Sequence, residues 1–187
     1  MGLLIIGFVM LVVGLFGVDF YMNEGVVEYL TFESVFAVAL LGGLVLAIAS
    51  IYAYKANSNF GTCTFGWVAF SLFILAAAGG AFGGLFDIGF DPAGAWTIWI
   101  IITIFYFVFV IWAFLAGAPK LLVAVLAVAA LVFLFLGLAM NNGPVAEDMK
   151  NMLLAMGIFG IIDFVLATYL GLALTEEVSK LGKLKVF

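Results

Sequence analysis

Residues 121–140 read LLVAVLAVAALVFLFLGLAM, twenty positions without one polar side chain. A helix needs about 20 apolar residues to cross a bilayer core about 30 Å thick. A membrane-spanning β-strand would alternate apolar and polar residues over about ten positions. No such alternation occurs here, so the stretch predicts a helix in lipid. Composition extends that reading to the whole chain. Of 187 residues, 68% are hydrophobic and 9% are charged, where a soluble domain carries about 25% charged residues. Mean hydropathy is +1.39.

Working outward from 121–140, apolar runs of spanning length recur on both sides. They predict one transmembrane domain over residues 1–187, with six spans near 2–18, 34–54, 64–86, 95–116, 120–140 and 149–174. Turn residues separate them: Asn57-Ser58-Asn59, Asp91-Pro92, Gly117-Ala118-Pro119 and Asn141-Asn142-Gly143-Pro144. The short turn at 117–119 predicts an antiparallel hairpin. The first run lacks the basic leader of a signal peptide and reads as an uncleaved span. The segment 19–33 interleaves Tyr21, Tyr29 and Phe32 with Glu24, Glu28 and Glu33. It is expected at the interface, where aromatic rings favour the headgroup level.

The lysines set the expected orientation. With both termini in the cytoplasm, Lys55, Lys120, Lys180, Lys183 and Lys185 lie inside and only Lys150 lies outside. That places a multi-pass protein in the cell membrane. The outer side then holds most of the acids, among them Asp19, Asp87, Asp91, Glu147 and Asp148.

Several kinds of chemistry are missing. The chain has no histidine and no arginine, and Cys63 is its one cysteine. There is no basic stripe for nucleic acid, no phosphate-binding GxxxxGK[ST] loop and no HExxH zinc motif. No nucleophile stands with a base. The reading is of a protein that is not an enzyme, without cofactor or metal. Its expected partners are membrane lipid, a small solute and copies of itself. Passage of a small solute asks for less: a narrow path, a few polar groups and a gate.

Asp163 stands out. It lies mid-span in Gly157-Ile158-Phe159-Gly160-Ile161-Ile162-Asp163-Phe164 and shares a helical face with Phe159 and Ala167. A carboxylate at the bilayer centre costs about 2.5–3.5 kcal/mol on insertion scales, so such residues face a bundle interior or a water-filled cavity. Asp163, Phe159 and Ala167 are the expected proton or substrate path; a structural contact between helices is the plainer alternative. Gly42 and Gly43 in the second span, with Gly79, Gly80, Gly83 and Gly84 in the third, read as close helix packing. Asn57, Thr62 and Thr64 offer polar groups near a helix N-terminus, which favours an anion; ordinary capping is the competing role.

Certain stretches resemble the acetate uptake transporter family, which includes succinate–acetate permeases. They are Gly42-Gly43, then Tyr54-Lys55-Ala56-Asn57-Ser58-Asn59-Phe60-Gly61 with Phe65, Trp67 and Phe70, then Leu115-Ala116-Gly117-Ala118, and finally Ala167-Thr168-Tyr169-Leu170 leading to Glu176-Glu177. The resemblance implies six helices per protomer, a homohexamer and one path through each protomer. It implies a hydrophobic constriction at Ile6 or Phe8, Trp67 or Val68, and Val128. It also implies transport of small monocarboxylates, acetate first and succinate as a further candidate. The position of Asp163 is not usually acidic in that family. A bare carboxylate is costly in a dry constriction; crossing with a proton, or replacement of its hydration by helix dipoles and backbone donors, meets that cost, and passage with a proton is the expectation. A urea or amide channel of a six-helix hexameric class is the alternative, and a non-transporting scaffold or sensor subunit is a third reading.

Overall fold

The computed structural model describes residues 2–23, 31–82, 84–85, 92–141 and 147–174. These form six α-helices and, among the described residues, no strand: α1 (Gly2–Met22), α2 (Phe32–Lys55), α3 (Asn59–Phe82), α4 (Pro92–Leu115), α5 (Lys120–Asn141) and α6 (Glu147–Ala173). All six are long and apolar enough to cross a membrane. The chain is a multi-pass helical membrane protein. The tail lysines, residues 24–30 of the interfacial segment, and Gly83 lie outside the described residues.

Helix ends follow local chemistry. α3 starts at Asn59 rather than 64, because the Gly61 N–H donates to Ser58 Oγ at 3.2 Å and caps it. It stops at Phe82 rather than 86. Gly84 turns left-handed there at φ 72°, and the Leu85 N–H donates back to Gly80 O at 2.9 Å. This is the Schellman closure, which satisfies carbonyls that the helix end leaves bare. Asn57 (φ 56°) closes α2 in the same way and Gly117 (φ 67°) closes α4. Proline opens α4 at Pro92, where its missing N–H costs nothing. α1 runs past the expected 18 to Met22, and Asn23 Nδ2 donates to Asp19 Oδ1 at 2.7 Å.

Each helix packs on its neighbours in chain order, and α6 returns against α1, so the six form a closed ring. The joints differ in kind. At α1/α6 the backbones touch. A Cβ on Gly14 would lie 2.9 Å from Gly157 O, and one on Gly160 would lie 2.9 Å from Met10 O. Small residues permit this approach, and in lipid van der Waals packing must supply the attraction that the hydrophobic effect supplies in water.

The α2/α3 joint uses glycines expected to pack. Gly43 faces the Phe73 ring and Ala69 O, and a Cβ on Gly79 would lie 3.1 Å from Phe32 O. Gly42 faces Val9 of α1 and Leu72 of α3, and Gly80 is buried. Gly84 is a correction. It is exposed, with nothing within 4 Å of the place its Cβ would take, and its role is the turn.

The α3/α4 joint has the sparsest backbone contact among the adjoining pairs. Aromatic rings fill it. Trp67 lies 4.5 Å from Phe105 and 6.4 Å from Phe109, centroid to centroid, and Phe60 meets Trp112 edge-on at 5.2 Å. Outside the ring, large apolar side chains such as Leu41, Ile48, Ile104, Phe107 and Phe114 are exposed, as a lipid-facing surface requires.

Candidate functional site: the acid inside the ring

The direction of Asp163 follows from its neighbours on α6. Successive helical residues turn by about 100°. Gly160, three residues back, touches α1. Phe159, four residues back, stacks on Phe135 of α5 at 5.4 Å. Asp163 falls in the arc between those two directions, and its exposure is 0%. It therefore faces the ring interior. Among the described residues, neither carboxyl oxygen has a hydrogen-bond partner. Ala167, one turn on, is equally buried. Of the three expected path residues, Asp163 and Ala167 face inward, while Phe159 sits in the α5/α6 joint.

A second helix brings polar groups to the interior that the sequence reading did not pick out. On α4 the residues Trp99, Ile102, Thr103, Tyr106 and Ala113 form one buried stripe. The spacing is helical, and α5 fixes which face turns in: the Phe133 ring stacks on both Trp99 (5.9 Å) and Tyr106 (5.2 Å). The Tyr106 hydroxyl adjoins Ser71 of α3 and lies within electrostatic reach of Asp163. Tyr106 Oη has no close hydrogen-bond partner among the described residues, and Ser71 is the side chain placed to accept one. The Ser71 proton is committed elsewhere, Oγ donating to Trp67 O at 2.9 Å. Thr103 Oγ1 likewise donates to Trp99 O at 2.9 Å. Buried polar groups are nearly always paired, so two unpaired ones turned into the same helical ring mark a candidate site. Thr64 Oγ1, Trp67 Nε1 and Trp99 Nε1 are also buried without partners.

Toward one end of the bundle lies a partly open cavity of about 230 Å³. All six helices line it, with residues such as Phe16, Val35, Leu75, Trp99, Leu136 and Met156. Its wall is almost wholly apolar. It is smaller than drug-sized ligand sites, which run about 300–1,000 Å³. Trp99 and Met156 stand at its deep end, each seven positions before the interior pair, Tyr106 and Asp163. Seven residues rise about 10 Å, which sets the polar pair beneath the cavity.

The other expected site residues fall in several places. Ile6 and Val68 are buried in the core, Trp67 is half-buried in the α3/α4 joint, and Val128 on α5 is half-buried. Phe8 is a correction. It is 53% exposed on the outside of α1, lining a surface groove with Leu41 and Val45, so it cannot narrow an interior path. Asn57, Thr62 and Thr64 are not gathered into one anion site. Asn57 serves the α2 cap, Thr62 Oγ1 donates to Ser58 O at 2.8 Å, and Thr64 is buried further along α3. No three His, Cys, Asp or Glu residues come together among the described residues. No protein-family model, curated protein or solved structure matches the chain.

Proposed function

We propose that the protein carries small monocarboxylates, acetate first, across the cell membrane together with a proton. One observation carries the reading: a wholly buried, unpartnered carboxyl group at mid-membrane, facing the interior of a helical ring beneath an apolar cavity. A plain structural acid would be expected to hydrogen-bond a neighbouring helix, because leaving such a group unpaired costs about 1–3 kcal/mol. The motif resemblance at Gly42-Gly43 and at 54–61 supports the cargo. Lysine placement supports cytoplasmic termini, and the resemblance supports a hexamer with a path in each protomer.

Protonation of the cargo removes the main physical obstacle. A carboxylate ion loses most of its solvation in a dry interior, whereas the neutral acid loses only hydrogen bonds that a few protein groups can replace. The cavity suits a molecule of a few heavy atoms. Below it, Tyr106 and Asp163 are the polar groups such a molecule meets.

Uptake of labelled acetate into proteoliposomes under an imposed pH gradient tests the proposal. Uptake should exceed that of protein-free vesicles and collapse when an ionophore dissipates the gradient. Urea flux without acetate flux would replace the proposal with the amide-channel reading. Flux of neither would leave a membrane scaffold.

A further inference from the structure

We propose that Asp163 and Tyr106 together form a binding station for the carboxyl group of a small undissociated acid, and that the cargo passes it as a neutral molecule. The identity of the cargo rests on the transport reading. The station itself rests on geometry.

Both groups are essentially inaccessible, with exposures of 0% and 1%. They come from different helices, α6 and α4, each buried and seven residues past a cavity-lining position, Met156 and Trp99, with no hydrogen bond between them. The nearby hydroxyls of Ser71 and Thr103 have their protons committed to backbone carbonyls. The Tyr106 O–H is therefore the uncommitted hydroxyl donor at that depth, with Trp99 Nε1 a second unpartnered donor two turns back on α4. Among the described residues, the buried side chains with charge or hydroxyl are Thr64, Ser71, Thr103 and Asp163, besides the tyrosine. No lysine is among them, so nothing there balances a carboxylate. An acetate ion would enter a dry site holding a second carboxyl group and no cation.

A neutral pair fits where an ionic one does not. A protonated carboxyl group has one O–H donor and one carbonyl acceptor. Neutral Asp163 and an undissociated acid can each donate to the other, forming two reciprocal hydrogen bonds. Tyr106 then donates a third to the cargo. Both protons stay on their own carboxyl groups throughout, so Asp163 holds the cargo without exchanging a proton with it. This is a different role from a relay, and the difference can be measured.

Primary amides present the same donor and acceptor pattern as a neutral acid, and esters present acceptors only. The experiment follows labelled acetate uptake in proteoliposomes of the wild type, Asp163→Asn, Asp163→Leu and Tyr106→Phe, each checked for a monodisperse helical fold. Acetamide should compete with acetate and methyl acetate should not. Asp163→Asn should lower uptake yet keep it well above the protein-free level, because the amide retains a donor and an acceptor for the reciprocal pair. Asp163→Leu should fall to the protein-free level. Tyr106→Phe should weaken apparent affinity roughly five- to tenfold, the loss of one hydrogen bond.

If Asp163→Asn is as inactive as Asp163→Leu, or if acetamide has no effect, the station is wrong. A parallel measurement of labelled acetate binding to the purified protein separates the two claims. Uptake that is indifferent to all three variants overturns the station and leaves transport standing. Binding with the stated variant order but no uptake overturns transport and leaves the station. Neither binding nor uptake overturns both.

Discussion

The α1/α6 and α3/α4 joints close the same ring by opposite means. At α1/α6, glycines bring two backbones together until Gly14 and Gly157 face each other's carbonyls, within 3 Å of any added Cβ. At α3/α4, backbones stand apart and Trp67, Phe60, Phe105 and Trp112 fill the gap. Backbone contact admits one register and little sliding. Ring contacts survive rotamer changes, and each pair adds only about 0.5–1.5 kcal/mol beyond its burial. The first joint is therefore a fixed seam and the second a yielding one. The interior polar residues follow this division: Asp163 rides on the fixed seam, while Tyr106 and Ser71 flank the yielding one.

The strongest attempt to break this contrast is Gly157→Leu. Backbone cannot move aside for the new side chain, so destabilisation should reach at least about 3 kcal/mol. Loss of monodisperse protein after detergent extraction, or a large drop in thermal midpoint, would register it. A near-neutral outcome would mean that α1 and α6 slide freely and that the contrast is false. Trp67→Ala should cost less, about 1–2 kcal/mol, because rings rather than backbone are lost. It sharpens the comparison through hydrogen exchange: amides of α3 and α4 should exchange faster while those of α1 and α6 stay protected. The smallest effect is expected from Phe60→Leu, about 0.5 kcal/mol, since an apolar side chain still fills part of the gap. Should Phe60→Leu destabilise as much as Gly157→Leu, the two joints would be equivalent.

Much of this architecture is legible in the residues. The apolar runs place all six helices, and Asn57, Gly117 and Pro92 mark ends through their own backbone chemistry. The start of α3 is harder to see, because Asn59-Phe60-Gly61-Thr62 has the composition of a loop. Only the cap from Ser58 makes it a first turn. The tightest seam was also hidden. Gly14 and Gly17, like Gly157 and Gly160, are spaced three apart, so the four-residue spacing that flags small-residue interfaces passes them by. Three-residue steps nevertheless keep one helix face.

The site was half legible. A lone acid in an apolar run is conspicuous, which exposes Asp163. Tyr106 is not conspicuous: it sits among Phe105, Phe107 and Phe109, and only packing against Phe133 decides which of them turns inward. Phe8 and Ile6 posed the same problem on α1, two apolar residues on different faces with nothing local to tell them apart.

The seating of α6 against α1 has a consequence for biosynthesis. A ribosome adds about 5–20 residues per second, and about three-quarters of the 187 residues separate the two glycine faces. For roughly ten seconds or more the nascent first span waits in the bilayer or translocon with its mate unmade. The buried acid arrives with α6, so its shelter is completed only when α6 docks on α1.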